Sequence, residues 1–242
     1  MRADVIDDSG KITVKTVCFP QQKGTVLYAC SPVDPESSGG HREGRTADQI
    51  RLVSLLREHL VRRIGSLRTD SHFSPQADLP IRVVHDLLGR PQLLLGEDEG
   101  PAISFSESGG KIWAALCGDA SDIGIDAAGM DEFPKEYPFH RVFHVPELQQ
   151  ALRLTNGDLK KASALLWSVK EAAVKALGCA FHLVDPRSIC VYPSAAEKDG
   201  GHLFTVGLSG KASARIPMTA GRCLLVRSHF QETMWLSIAL LN

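Results

Sequence analysis

Long hydrophobic runs are missing from this 242-residue chain. Its apolar stretches are only a few residues, such as Leu93-Leu94-Leu95, far short of what a bilayer requires. The opening Met1-Arg2-Ala3-Asp4-Val5-Ile6-Asp7-Asp8 has no apolar centre of the kind a secretory signal carries, so a cytoplasmic protein is expected. Cys-x-x-Cys pairs are also absent. Cys18, Cys30, Cys117, Cys179, Cys190 and Cys223 lie far apart and read as reduced, packed thiols, which argues against a zinc site or a disulfide frame. Nor is there an excess of either charge. The 27 Lys and Arg residues face 28 Asp and Glu, for a net charge of −1. A general nucleic-acid binder carries a basic excess, so an anionic partner here has to be held by a local pocket. No Gly-rich phosphate loop is present, which leaves kinase and dinucleotide-binding readings without support. Ser104, Ser106 and Ser108 lack the Gly-x-Ser-x-Gly elbow of serine hydrolases. The histidines show no convincing metal spacing. His140 and His144 are placed as two ligands on one helix face, but no third ligand accompanies them.

The composition itself is that of a globular protein, with 43% hydrophobic and 23% charged residues. Short strands are expected at Ile12–Val17 and Thr25–Ala29, then a Pro/Ser/Gly loop through Gly40. Ile50, Val53, Leu56 and Leu60 fall on one face of a helix over Thr46–Ile64. A polar stretch, Ser66–Asp78, and a looser helix, Ile81–Leu88, follow. Strands are expected at Ala102–Phe105, Ile112–Leu116 and Ile123–Ile125, with mixed helical character over Glu132–Leu152. The strongest element is a helix over Asp158–Leu177. Thr155, Asn156 and Asp158 supply N-terminal capping groups, Gly178 stands where a left-handed C-terminal residue belongs, and its apolar stripe is Leu159, Ala162, Leu166, Val169, Ala173 and Ala176. Strands at Ile189–Tyr192, Leu203–Leu208, Cys223–Ser228 and Met234–Leu240 complete the chain, with turns at Lys198–Gly201 and Thr219–Gly221. Helix-then-strands occurs twice. The expectation is therefore an α+β protein of two similar α/β halves in a pseudo-twofold arrangement, residues 1–121 and 122–242.

Two segments carry chemistry. In Trp167-Ser168-Val169-Lys170-Glu171-Ala172-Ala173-Val174-Lys175, the four-residue spacing puts Glu171 and Lys175 on one helix face, with Trp167 a turn earlier. A solvated ion pair has the same spacing, but this pair stands at the margin of the buried stripe. In Asp122-Ile123-Gly124-Ile125-Asp126-Ala127-Ala128-Gly129, a short apolar strand leads into Asp126, and Gly124 allows another backbone to come close. An aspartate closing a strand before a turn is the plainer reading of that segment alone. Together, two carboxylates suit a hard divalent cation, and a nearby lysine suits the phosphates such a cation bridges.

The pairing of Ile123-Gly124-Ile125-Asp126 with the Trp167–Lys175 segment resembles the two signature motifs of the 4′-phosphopantetheinyl transferases, and the two-halved layout is similar to their monomeric Sfp-type branch. Asp48-Gln49-Ile50-Arg51 resembles the start of that branch's first helix. Gly89-Arg90-Pro91 resembles its Gly-Lys-Pro element, and Ile103-Ser104-Phe105-Ser106-Glu107-Ser108-Gly109 its Phe-Asn-x-Ser-His-Ser-Gly. Arg141-Val142-Phe143 with Glu147 is similar to the Arg-Phe-Phe…Glu segment between the signatures. The resemblance covers roughly residues 41–242.

The resemblance implies Mg²⁺-dependent transfer of phosphopantetheine from coenzyme A to a serine of an acyl or peptidyl carrier protein. Asp126 and Glu171 would hold Mg²⁺, Glu171 would also take the serine proton, and Lys175 would stabilise the leaving phosphate. Arg51, Arg90, Ser106 and Lys170 would contact coenzyme A, where guanidinium forks suit phosphate oxygens. Phe139, Arg141 and Phe143 are candidates for the carrier surface, with core packing the plainer role for either Phe. No nucleic acid or membrane partner is implied, and a monomer is expected. The chain departs from the pattern at two places. Ala128 stands where the family often has a second carboxylate, and Glu107 where a phosphate-binding histidine is usual. Glu107 is therefore expected either to restore the missing metal ligand or to face solvent or Lys111. The departures leave open a second reading, a weak relative that binds coenzyme A or a carrier protein without modifying it.

Overall fold

The computed structural model describes residues 12–20, 25–33, 42–67, 79–118, 122–134, 136–179, 181, 183–196, 200–216 and 224–241. Outside them lie most of the expected loops at 34–40, 66–78, 197–199 and 219–221, together with His41, His72, His182 and Cys223. The fold is α+β. It divides into two compact units, Met1–Phe105 with Gly110–Ser121, and Ser106–Gly109 with Asp122–Asn242.

The first unit begins with β1 (Lys15–Val17), β2 (Val26–Pro32) and α1 (Arg42–Leu67), followed by β3 (Ile81–His85), β4 (Pro91–Leu95) and β5 (Asp98–Glu99). Strand β6 (Ala102–Ser108) and strand β7 (Lys111–Cys117) then form a hairpin, and the sheet order is β1-β2-β7-β6. Gly109 and Gly110 make its two-residue turn at φ +60° and +68°, the left-handed region that such hairpin turns need. Leu52, Val53, Leu56 and Leu60 of α1 pack on Leu27, Ala29, Ile112, Ala114 and Leu116 of the sheet. Val53, Leu56 and Leu60 are on the helical face expected from the sequence; Leu52 joins them, while Ile50 is half-buried and outside this cluster.

The helix expected at Ile81–Leu88 is instead strand β3, joined to β4 and β5 in a three-stranded sheet. Ile81, Val83 and Val84 are β-branched and pair with Leu95, Leu93 and Gln92. Asp86 makes the turn: its Oδ1 accepts from the N–H groups of Leu88 at 2.8 Å and Arg90 at 2.9 Å.

The second unit contains β8 (Asp122–Gly129), a 3-10 turn over Met130–Glu132, α2 (Phe139–Val142), α3 (Val145–Leu154), α4 (Leu159–Ala176), β9 (Ile189–Ala196), β10 (His202–Leu208), α5 (Gly210–Arg215), β11 (Leu224–Gln231) and β12 (Met234–Leu241). Its sheet runs β8-β12-β11-β10-β9 with antiparallel pairing throughout. Helix α4 lies across β8, β12 and β11. The Asp158 carboxylate accepts from Lys161 N at 3.0 Å and starts the helix. Gly178 at φ +70° ends it, as Gly178 N and Cys179 N turn back to the carbonyls of Lys175 and Val174.

The helix is buried over more of its surface than a single stripe. Ala164, Leu165, Ala172 and Val174 are as inaccessible as Val169 and Ala173, while Leu159 is exposed. Among the described residues, no helix is long and apolar enough to cross a membrane. The five described cysteines form no disulfide with one another.

Candidate active site

Asp126 owes its position to the alternation of β8. Gly124, Asp126 and Ala128 share one face, and that face meets α4. A Cβ on Gly124 would fall on the Ala172 carbonyl oxygen and lie 2.7 Å from Ala176 N, so the helix backbone rests directly on the strand there. This close approach puts the last two turns of α4, with Glu171 and Lys175, beside Asp126. Ala128 is wholly buried in the apolar core.

The Asp126 carboxylate is itself 8% exposed. Its Oδ1 accepts from Lys175 Nζ at 2.7 Å and from Ser106 Oγ at 2.9 Å. Lys175 Nζ also donates to the Ile125 carbonyl at 3.0 Å, and Ser106 Oγ accepts from Ala127 N at 3.1 Å. Asp126 Oδ2 takes no hydrogen bond from a described residue. Glu171 makes neither a hydrogen bond nor an ion pair with any described residue. Burial, then the charge of Asp126, then that of Glu132, push its pKa up to about 7, with Lys175 acting in the opposite direction.

The site thus gathers Asp126, Glu171, Lys175 and Ser106 of the expected residues and adds Glu132. Glu132 belongs to the 3-10 turn that packs against α4, and its Oε1 accepts from Gly129 N at 2.8 Å and Ser108 Oγ at 3.2 Å. Sequence inspection passes over it because acidic residues are ordinary in turns; the spacing Gly129…Glu132 is the one signal it leaves. Burial and the Glu132 charge also raise the pKa of Tyr137, at the edge of an aromatic row in which Phe133 meets Tyr137 at 5.1 Å and Trp167 at 6.4 Å between ring centres. A cavity of about 420 Å³ opens beside Ser108 and Gly129, bordered by Met130, Lys160 and Met234.

Other expected residues stand elsewhere. Lys170, expected to contact coenzyme A, is 0% exposed. All three of its N–H donors are used inside the protein, on Glu147 Oε1 at 2.6 Å, the Pro186 carbonyl at 2.9 Å and the Val142 carbonyl at 3.1 Å. Burial lowers its pKa, opposed by Glu147. No donor is left for a ligand, so its role is to hold α4 to its neighbours. Glu107 is exposed. On β6 it alternates with Ser106 and Ser108, and so points away from the face on which those two serines meet their carboxylates. The carboxylate that the structure brings to Glu171 beside Asp126 is that of Glu132. Arg51, exposed on α1, and Arg90, half-buried after the β3–β4 turn, belong to the first unit. Phe143 is buried against the second unit's core, Phe139 half-buried and Arg141 exposed. His144 Nε2 lies 2.7 Å from the Arg187 carbonyl, to which it donates.

Among the described residues, no three His, Cys, Asp or Glu side chains come close enough to hold a metal between them. The two carboxylates still fit a magnesium ion that arrives with phosphates. Such an ion is bound by one or two protein carboxylates, with water and substrate oxygens completing its shell. The open Asp126 Oδ2 and the unpartnered Glu171 carboxylate are hard oxygen donors of the type it takes.

No curated protein sequence matches the chain. Solved structures resemble it, two of them as follows. One is a Chronobacterium ammoniagenes ACPS–CoA complex, at 20% identity and a TM-score of 0.41 over 51% of this chain and 98% of that one. The other is the apo-ACPS structure from the same organism, at 21% identity and a TM-score of 0.41 over 50% of this chain and 96% of that one. A model of the 4′-phosphopantetheinyl transferase superfamily matches residues 122–207. That segment, similar to the superfamily, contains Asp126, Glu171 and Lys175.

Proposed function

We propose that the protein transfers the 4′-phosphopantetheine group of coenzyme A to a serine of an acyl or peptidyl carrier protein with Mg²⁺, as a transferase of the Sfp-type branch with two similar halves, residues 1–121 and 122–242. The observation that carries this reading is the meeting of Asp126, Glu171 and Lys175 at one end of α4, inside the segment similar to the superfamily. Bound to Asp126 and Glu171, Mg²⁺ would offset the charge of the diphosphate at the phosphorus under attack.

The chain's own groups do the rest. Lys175 has two N–H donors on Asp126 Oδ1 and the Ile125 carbonyl, and its side chain is 27% exposed, which leaves the third donor for a phosphate oxygen. Ser106 fixes Asp126. Arg51 and Arg90 are assigned to the nucleotide and its 3′-phosphate. The carrier serine oxygen forms the new bond to phosphorus as the bridging P–O bond breaks. The proton passes to Glu171, directly or through water, and adenosine 3′,5′-bisphosphate leaves with the bond's electrons. A monomer acting in the cytoplasm completes the reading.

Glu171→Gln keeps the shape of the side chain and removes both the ligand charge and the base. Turnover of coenzyme A and an apo-carrier protein is expected to fall at least ~100-fold. Turnover within a few-fold of the parent would reduce Glu171 to a helix-surface charge.

A further inference from the structure

Ser106 and Ser108 stand two residues apart on one face of β6, about 6.6 Å from each other. Each meets a different carboxylate: Ser106 Oγ donates to Asp126 Oδ1 and Ser108 Oγ to Glu132 Oε1. The strand therefore holds two acids side by side, and the turn that bears Glu132 packs on the helix that bears Glu171. Glu132 is held firmly through one oxygen by Ser108 and the Gly129 N–H, while its Oε2 takes no hydrogen bond from a described residue. Asp126 is the same in kind, with Oδ1 filled and Oδ2 open on a side chain that is 8% exposed.

We propose that Glu132, positioned by Ser108, is an outer-sphere acid of the cation site formed by Asp126 and Glu171, accepting hydrogen bonds from the water carried by the bound ion. The inference rests on the reading of Asp126 and Glu171 as ligands. A direct bond to the ion is not assigned to Glu132, because no three acidic side chains of the described residues close on one ion. Magnesium keeps several of its waters when protein-bound, and those waters need acceptors. Outer-shell partners are commonly worth about 10–100-fold in metal affinity. Glu132 thereby supplies, from beyond the end of β8, the charge missing at the buried Ala128. Glu107, on the opposite face of β6, does not share in it.

Calorimetric titration of Mg²⁺ into the full chain with coenzyme A present tests this. Glu132→Gln retains an acceptor oxygen for Gly129 N and Ser108, so the turn is kept while the charge is lost; a thermal melt matching the parent checks that it is. Mg²⁺ affinity is expected to fall about 10-fold or more in E132Q. Ser108→Ala, which unties the carboxylate without removing it, should weaken binding by a smaller factor, and Glu107→Gln should leave it within twofold. Parent-like Mg²⁺ affinity in E132Q, or an equal loss in E107Q, would overturn the inference and leave Asp126 and Glu171 as ligands. A parent that binds no Mg²⁺ would overturn the ligand assignment itself, and this inference with it.

Discussion

Glu171 carries a negative charge into a half-buried position beside the buried Asp126, with the exposed Glu132 adding its charge, and its pKa of about 7 lies well above the ordinary 4.5. The folded state therefore binds this proton more tightly than the unfolded chain does. Stability is lost as pH rises from about 4.5 through about 7, and the full cost applies above 7. Glu171→Gln is free of that cost. In thermal melts without metal, the variant should melt above the parent at pH 8, and the two should converge near pH 5. A gap of the same size at both pH values would contradict the account. Added Mg²⁺ should raise the parent's melting temperature at pH 8 more than the variant's. The shared helix face of Glu171 and Lys175 was legible in the sequence because helix spacing is a local pattern, whereas Asp126, read as closing a strand, lies inside β8, where pairing with β12 holds it. Glu132 was not legible, since its significance comes from a hydrogen bond to Ser108, a residue distant in the chain.

The element that decides the site's geometry is α4, and two features set its height and rotation. Gly124 lets the helix rest on β8; an added methyl meets the Ala172 carbonyl. Gly124→Ala should cost about 3 kcal/mol or more in denaturant unfolding, at the upper end of overpacking effects, and should weaken metal binding by moving Glu171 from Asp126. Unchanged stability would mean that the helix can lift without strain. The buried Lys170–Glu147 pair joins α4 to α2, α3 and the turn at Pro186–Ser188. Lys170→Met strands the Glu147 charge and should destabilise by about 3–5 kcal/mol. Adding Glu147→Gln, which keeps an acceptor for His144 N at 2.7 Å, should restore part of that loss. If K170M melts like the parent, the pair is not what fixes the helix. From sequence, Lys170 read as a ligand contact because its partner lies far along the chain. The close approach at Gly124 was legible, since a glycine inside an apolar strand points to a neighbouring backbone. The Ile81–Leu88 segment misread as helix because so short an apolar run fits either period, and β3 is decided by pairing with β4.

For the whole molecule, the α+β class followed from the order of helices and strands, while the extent of the strands did not. Runs of large apolar residues mark only part of a strand, and pairing carries β6, β8 and β11 beyond those runs, to Ser108, Gly129 and Gln231. The near-neutral net charge of −1 gives no general attraction for anions, so the proposed diphosphate would have to be recognised by a local set of groups. Asp126, Glu171 and Lys175 are proposed to form a Mg²⁺-dependent phosphopantetheinyl transfer site. The most direct test is intact-mass spectrometry of a panel of apo-carrier proteins incubated with this protein and coenzyme A, with Mg²⁺ or with a chelator. The account predicts that at least one carrier gains the mass of a single phosphopantetheine group on its serine with Mg²⁺, and none with the chelator or with E171Q. Transfer that survives complete metal removal, or no transfer to any carrier while coenzyme A is bound, would contradict it.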